Sequence, residues 1–494
     1  MKSKPIMIRI IITISFLNIA SVCIAQTAAQ EINKLNSPSL ALSPLRFLAS
    51  DELMGRGTTR PEINIAARYI SEEFKRIGLK ELPGTTDYFQ TFTIELFTPS
   101  KTGALTVNNK SYNMGENIIQ MSGTDISLNA PIVYAGFGLK EDLDKIDVKG
   151  KIVIAKWGAN DSTSPGDGLA LLETKQKLAQ ERGVAALIES APREIPWEAV
   201  QQYFMHEHAE AEGTDNFSTF LINDKDSSLF KISRNQLATL SATENKQRNI
   251  TAKNVMAWVE GTNAKLKDQF IVLSAHYDHL GVAEQPKTEE GKLDSIFNGA
   301  RDNAIGTTAV IDAARYFAQH PPKRSILFIA FTAEELGLIG SKYFADHPVL
   351  PLKQMVYDLN IDNASYNDTT VITLVGLERT SADADIKRAC DAYGLSILPD
   401  PTPGKELFSG SDNLPLAEKG VPAPTFSLGM KSFDSTIFNR YHQLSDEVGN
   451  FNLNYAMKFI NSFILAAKYI ADNNKQPTWT KGDKYEAIWK QLYQ

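Results

Sequence analysis

FIVLSAHYDHLG at 270–281, SILFIAFTAEELG at 325–337 and QMVYDLNIDN at 354–363 are the stretches that decide the fold. Each begins as a short run of strand-forming apolar residues, and helical segments such as Thr308 to Ala318 lie between them. Strand and helix in alternation predict a mainly parallel sheet covered on both faces. The fold class read from the sequence is therefore α/β: a three-layer domain with a mixed, mainly parallel sheet, carrying a smaller β-rich insert. In such sheets ligands gather beyond the carboxyl ends of the strands. There the three runs pass into His276-Tyr-Asp-His279, Thr332-Ala-Glu-Glu335 and Asn360-Ile-Asp-Asn363. Charge at a strand end is costly to desolvate unless something compensates it, and a divalent metal would.

Two further motifs belong with these. NGARDNAIG at 298–306 opens a helix, and NRYHQLSD at 439–446 lies near the end of the chain. Together the motifs supply histidines and several carboxylates. That mixture suits zinc, bound at about 2.0 to 2.2 Å, better than calcium or an iron-sulfur cluster. Singly the signals are weak, because His-x-Asp is commonly a capping or surface pair and a Glu-Glu step is commonly solvated. Their ordered combination carries the reading.

That combination resembles the co-catalytic di-zinc aminopeptidases, a family that also includes glutamate carboxypeptidase relatives and the non-enzymatic transferrin receptors. The resemblance covers roughly 254 to 494 and a segment around 45 to 95. It implies that His276 binds one zinc, Asp302 bridges two, Asp362 completes the first, and Glu335 with His442 holds the second. Glu334 would be the general base that takes a proton from the shared water. Asp278 would hydrogen-bond the ring nitrogen of His276 not used for metal. Arg301 stands where many relatives have another acid; it reads as an ion-pairing partner, or as a group reaching a substrate carboxylate. Asp412, in the segment 409–423, would support the structure or contact substrate. His279, His320, His347, His206 and His208 match no ligand position and are expected at the surface. The expected cofactor is two zinc ions per chain. The expected activity is hydrolysis of N-terminal residues from peptides, with carboxypeptidase, dipeptidase, glutaminyl cyclase and receptor-like binding as alternatives.

From about 97 to 247 the texture changes to short β-type runs between turns, with one amphipathic segment from Lys175 to Arg182. VYAGFG at 133–138, VKGKIV at 148–153 and GVAALI at 183–188 resemble the protease-associated domain, which implies covering the active site or selecting substrate. The domain map is then a signal at 1–25, an N-terminal segment at 26–96, the insert at 97–247 and the catalytic domain at 248–494. Within the N-terminal segment, Pro61 opens a helix with Ile63, Ala66, Ala67, Ile70, Phe74 and Ile77 on one face, and Gly78 ends it.

Lys2 and Lys4 precede an apolar run from Ile10 to Ala25, and Cys23-Ile-Ala25 forms a cleavage site before Gln26. This reads as a cleaved export signal, to the periplasm or the medium, leaving no stable membrane anchor. Losing Lys2, Lys4 and Arg9 takes the net charge from -7 to -10, an acidic balance that argues against nucleic-acid binding. Of the two cysteines, Cys23 and Cys390, cleavage leaves Cys390, so no internal disulfide is expected. Cys390 sits in a helix-like segment and reads as a small apolar side chain.

Overall fold

In a computed structural model, the three apolar runs become the middle of a mixed sheet. The structure describes residues 27–163, 165–209, 216–233, 236–289, 291–402 and 407–494; the expected export signal and Cys23 lie outside the described residues. The chain forms two compact units, one from residues up to Phe92 together with Ala252–Gln494, the other Thr93–Thr251. Both boundaries fall inside strands, Phe89–Thr98 (β1) and Lys246–Val259 (β2). No turn residue marks them, which is why the sequence reading put the change of texture at 97 and 247.

The first unit also contains Phe270–His276 (β3), Ser325–Phe331 (β4), Met355–Ile361 (β5), Val371–Val375 (β6), Ser396–Pro399 (β7) and Thr425–Leu428 (β8). Their order is β7-β6-β8-β5-β3-β4-β2-β1. β4, β3, β5 and β8 are mutually parallel, while β2 and β6 pair antiparallel with β4 and β8. Side chains alternate between two cores, as the two-residue period of a strand requires. Ile271, Leu273 and Ala275 face one core with the helices Ile63–Ile77 (α1), Ile305–Gln319 (α2) and Leu453–Asp472. Phe270 and Val272 face the other, with Leu327, Phe344 and Leu416.

α1 begins at Ile63, with Pro61 and Glu62 in the turn before it, and ends at Gly78. Gly78 adopts φ 85° and lets Leu79 N–H reach the carbonyl of Phe74, a left-handed cap that glycine makes without a Cβ penalty.

In the second unit a sheet runs in the order Lys110–Asn113, Thr102–Val107, Gln236–Thr243, Ile126–Tyr134, Ile152–Ala155, Ala186–Ser190, Thr219–Ile222, Ile118–Ser122. The helix foreseen from Lys175 instead spans Pro165–Glu181. Its first turn carries Gly166 and Gly168, which mimic a loop in sequence.

Candidate metal centre

The parallel register brings the acids together. Ala275 of β3 pairs with Ala330 of β4 on one side and with Ile361 of β5 on the other. The ends of the three strands are therefore level, so His276, the 332–335 loop and Asp362 emerge side by side. Asp302 comes from an irregular turn, Ala300–Ala304, that enters α2 with non-helical angles at Asp302 and Asn303 and a cis peptide between them. The Asn303 amide donates to the carbonyl of Ile361 at 2.7 Å, tying this turn to the end of β5. His442 adopts φ 56°, a left-handed conformation that few non-glycine residues take and that is often met at functional sites.

The two carboxylate oxygens of Asp302 face two different partners. Oδ1 lies 3.3 Å from His276 Nε2, which is 3.2 Å from Asp362 Oδ1. Oδ2 lies 3.2 Å from His442 Nε2, which is 3.4 Å from Glu335 Oε2. Ligands bonded tetrahedrally to one zinc at ~2.0 to 2.1 Å stand ~3.3 to 3.4 Å apart. The donor set therefore fits one zinc on each side of Asp302. The field fits too. Burial works against the charged form of His276, yet Glu334 and Asp362 hold its pKa well above the usual value. Burial likewise opposes the charged form of His442, yet Glu335 and Asp302 raise its pKa to about 9. A site that draws protons onto buried imidazoles favours cations.

Glu334 has a carboxylate oxygen within 4.8 Å of ligand atoms of His276 and Asp362. Burial pushes its pKa well above the ordinary range; His276 opposes this, while Asp362, Glu335 and Asp412 add to it. Asp278 does a different task from the one expected. His276 Nδ1 is 3.2 Å from the Asp278 main-chain carbonyl and 3.8 Å from its carboxylate. The carboxylate instead accepts the backbone N–H groups of Glu334 and Glu335 at 3.2 and 3.4 Å, and the Thr58 hydroxyl at 2.8 Å. The chain has left β3 by this point, so the side chain no longer lies on the strand face shared with His276.

His279 corrects a second expectation. It is 1% exposed, and its Nδ1 lies 2.6 Å from Glu335 Oε1 but 4.0 Å from Asp302 Oδ2. His279 is thus within hydrogen-bond reach of Glu335 and, with Asp302 and Glu335, forms a group able to hold a metal ion, while His442 Nε2 lies 3.2 Å from Asp302 Oδ2 and 3.4 Å from Glu335 Oε2. Of the other histidines set aside, His206 and His347 are exposed, and His208 and His320 are partly buried.

Arg301 takes the first of its two expected roles, the ion pair, and not the second, contact with a substrate carboxylate. Its guanidinium is buried, donates to Asp446 at 2.7 Å and to the carbonyl of Asn450 at 2.9 Å, and lies over Tyr366 and Phe451. These contacts hold it away from a substrate carboxylate. Asp446 also accepts the backbone N–H groups of Arg301 and Asp302, so it fixes the turn that carries Asp302. Asp412 is fully buried, and burial above all raises its carboxyl to about 7. Cys390 is buried in the helix Asp383–Ala392, and burial holds its thiol up at about 12, far from nucleophilic use.

The model of Peptidase family M28 matches residues 254–467. Aminopeptidase YwaD of Bacillus subtilis is 26% identical over 317 residues, covering 61% of this chain and 58% of that protein. A vacuolar membrane protease of Vanderwaltozyma polyspora is 23% identical over 265 residues, covering 53% of this chain and 25% of that one. The chain thus spans less than two thirds of the length of these relatives. An aminopeptidase structure from Aneurinibacillus sp. strain AM-1 superposes with a TM-score of 0.60 at 19% identity, over 90% of this chain and 96% of that one. That likeness is one of fold.

Proposed function

Residues 254–467 belong to peptidase family M28, and on that premise we propose that the protein is a zinc-dependent aminopeptidase releasing N-terminal residues from peptides. The observation that carries the reading is the two-sided environment of Asp302, with His276 and Asp362 toward one oxygen and His442 and Glu335 toward the other. These five residues would hold two zinc ions. Bound there, the ions supply an activated water and polarise the peptide carbonyl. Glu334, whose carboxylate lies beside His276 and Asp362, takes the proton from the water and passes it to the leaving amine. Asp278 holds the Glu334–Glu335 step through its two backbone amides, and His279 fixes the rotamer of Glu335.

The carboxypeptidase alternative needs a cation free to meet a substrate C-terminus, and the pairing of Arg301 with Asp446 weighs against Arg301 as that cation. The unit Thr93–Thr251 is read as a protease-associated insert that acts in substrate selection. No helix among the described residues is long and apolar enough to cross a membrane. The N-terminal stretch is read as an export signal, and a mature protein whose first residue is Gln26 would bear that out.

The test is hydrolysis of aminoacyl-nitroanilides and dipeptides by the chain from Gln26, as purified, after chelation and after zinc return. Turnover should require zinc and a free α-amine. Glu334→Gln should lower kcat by about 10²- to 10⁴-fold with both metals retained. A protein that holds two zincs and turns over no free-amine substrate would overturn the aminopeptidase reading.

A further inference from the structure

The segment Met54–Thr58 precedes every motif used so far and supplies none of the proposed ligands. At its centre Arg56 has no exposed surface. Its guanidinium donates from Nε to the carbonyl of Tyr277 at 2.8 Å and from Nη2 to that of Gly299 at 3.0 Å. Nη1 donates to the carbonyls of Asn298, at 2.6 Å, and Leu48. Tyr277 sits between His276 and Asp278, and Asn298 and Gly299 lead into the turn of Asp302. One cation therefore ties the loop carrying His276 to the turn carrying Asp302.

The backbone around Arg56 reinforces the tie. The Arg56 carbonyl accepts the N–H of His279 at 3.2 Å, Gly57 pairs with His279, and the Thr58 hydroxyl donates to Asp278. Met54, Gly55 and Arg56 all take positive φ, at 47°, 67° and 51°. A Cβ on Gly55 would lie 2.2 Å from the carbonyl oxygen of Gly281 and 2.6 Å from that of Phe297. Left-handed backbone at Met54 and Arg56 is unfavourable on its own and is held by these longer-range contacts. Burial lowers the guanidinium to about 10, against Asp278, Asp302, Asp446 and Glu335, which favour its charge.

We propose that Arg56 is a positioning residue for the metal centre: its guanidinium, seated in the Met54–Thr58 brace, sets the spacing of the His276 and Asp302 loops and hence the centre's affinity for divalent ions. The inference rests on the two-metal reading above. Arg324 is the natural contrast. It is equally buried, but it donates to Gln269 and to the carbonyls of Ile470 and Asn473, beside the start of β3 and not its end.

The experiment is a cobalt(II) titration of the chelated full chain, followed by its visible absorption band. Wild type should take two ions. Arg56→Lys keeps the charge but loses the planar fork, so affinity should fall about 10- to 100-fold with a changed band. Arg324→Lys should lower the unfolding temperature and leave the titration alone. Thr58→Val should weaken binding in the same direction by less, and it decides the matter if Arg56→Lys does not fold. A folded Arg56→Lys with wild-type affinity and band overturns the proposal, as does such a Thr58→Val when Arg56→Lys is unfolded. Wild type that binds no cobalt overturns the two-metal reading along with it, whereas wild type with two ions and unaltered variants overturns the brace alone.

Discussion

Both units bury charge, and they do so in opposite ways. In Thr93–Thr251, Lys175 and Glu189 stand 2.6 Å apart with side chains 0% and 3% exposed, and Lys175 also donates to the carbonyl of Lys156. The charges cancel, and the arrangement is complete in itself. At the ends of β3, β4 and β5, Asp278, Asp302, Glu334, Glu335, Asp362 and Asp446 meet the guanidiniums of Arg56 and Arg301. Arg301 pairs with Asp446, and Arg56 lies in the field of Asp278 and its neighbours. Asp302, Glu335 and Asp362 have no guanidinium partner and lie against the imidazoles of His276, His279 and His442, with Glu334 beside them, an acid-rich cluster that would suit divalent ions. A balanced buried pair belongs to structure, whereas a surplus of one sign at level strand ends points to a ligand of the other sign.

The largest expected effect tests that surplus at its centre. Asp302→Asn removes the carboxylate that faces both imidazoles, so both metals should be lost on dialysis and turnover should fall to the detection limit. Metal analysis beside the nitroanilide assay checks this; a variant retaining both ions would mean that Asp302 is not shared. Next comes the balanced pair. Lys175→Met leaves a buried carboxylate unpaired and should cost about 3–5 kcal/mol of stability, while adding Glu189→Leu should restore most of it. Denaturant unfolding of the two variants decides, and a double variant no better than the single one would break the comparison. Smaller again is His279→Gln, which keeps a donor near Glu335 but not the imidazole geometry. It should weaken metal binding by about 10- to 100-fold, with the same stoichiometry at saturation.

The sequence made the catalytic sheet and the clustering of acids legible for one reason. A run such as 270–275 must be buried, and an acid placed directly after it has nowhere to hide, so strand ends announce themselves. The neighbours that align the cluster were not legible in the same way. Arg56 reads as a turn residue in MGRG, and its carbonyl partners at Tyr277, Asn298 and Gly299 lie 221 to 243 residues away. His279 reads as a surface residue because its burial depends on Gly299, where a Cβ would come within 2.5 Å of its ring. The partner of Arg301 was in view as the last letter of NRYHQLSD, but nothing in linear spacing pairs 301 with 446. Asp278 lies two residues past His276, beyond the end of the strand, where alternation no longer tells which way a side chain points.

A third kind of buried acid sharpens the comparison, and its expected effect is a slope instead of a loss. Asp358, in β5, is fully buried; one carboxylate oxygen accepts from Ser274 at 2.8 Å and the other has no hydrogen-bond partner. Burial pushes its pKa to about 8; the Ser274 hydrogen bond opposes the rise and Asp412 adds to it. An unfolded aspartate ionises near ~3.9. Between about pH 4 and pH 8 the folded chain therefore keeps a proton that the unfolded chain has lost, and this group's contribution to stability declines as pH rises through that window. The slope is at most about 1.4 kcal/mol per pH unit. Asparagine resembles the neutral acid and has no proton to lose, so Asp358→Asn should unfold with wild type near pH 4 and at progressively higher temperature than wild type toward pH 8. Parallel curves across that range would mean that Asp358 is ionised in the fold. Its charge would then join the surplus at the strand ends, and the boundary of the metal centre would have to be drawn further down β5.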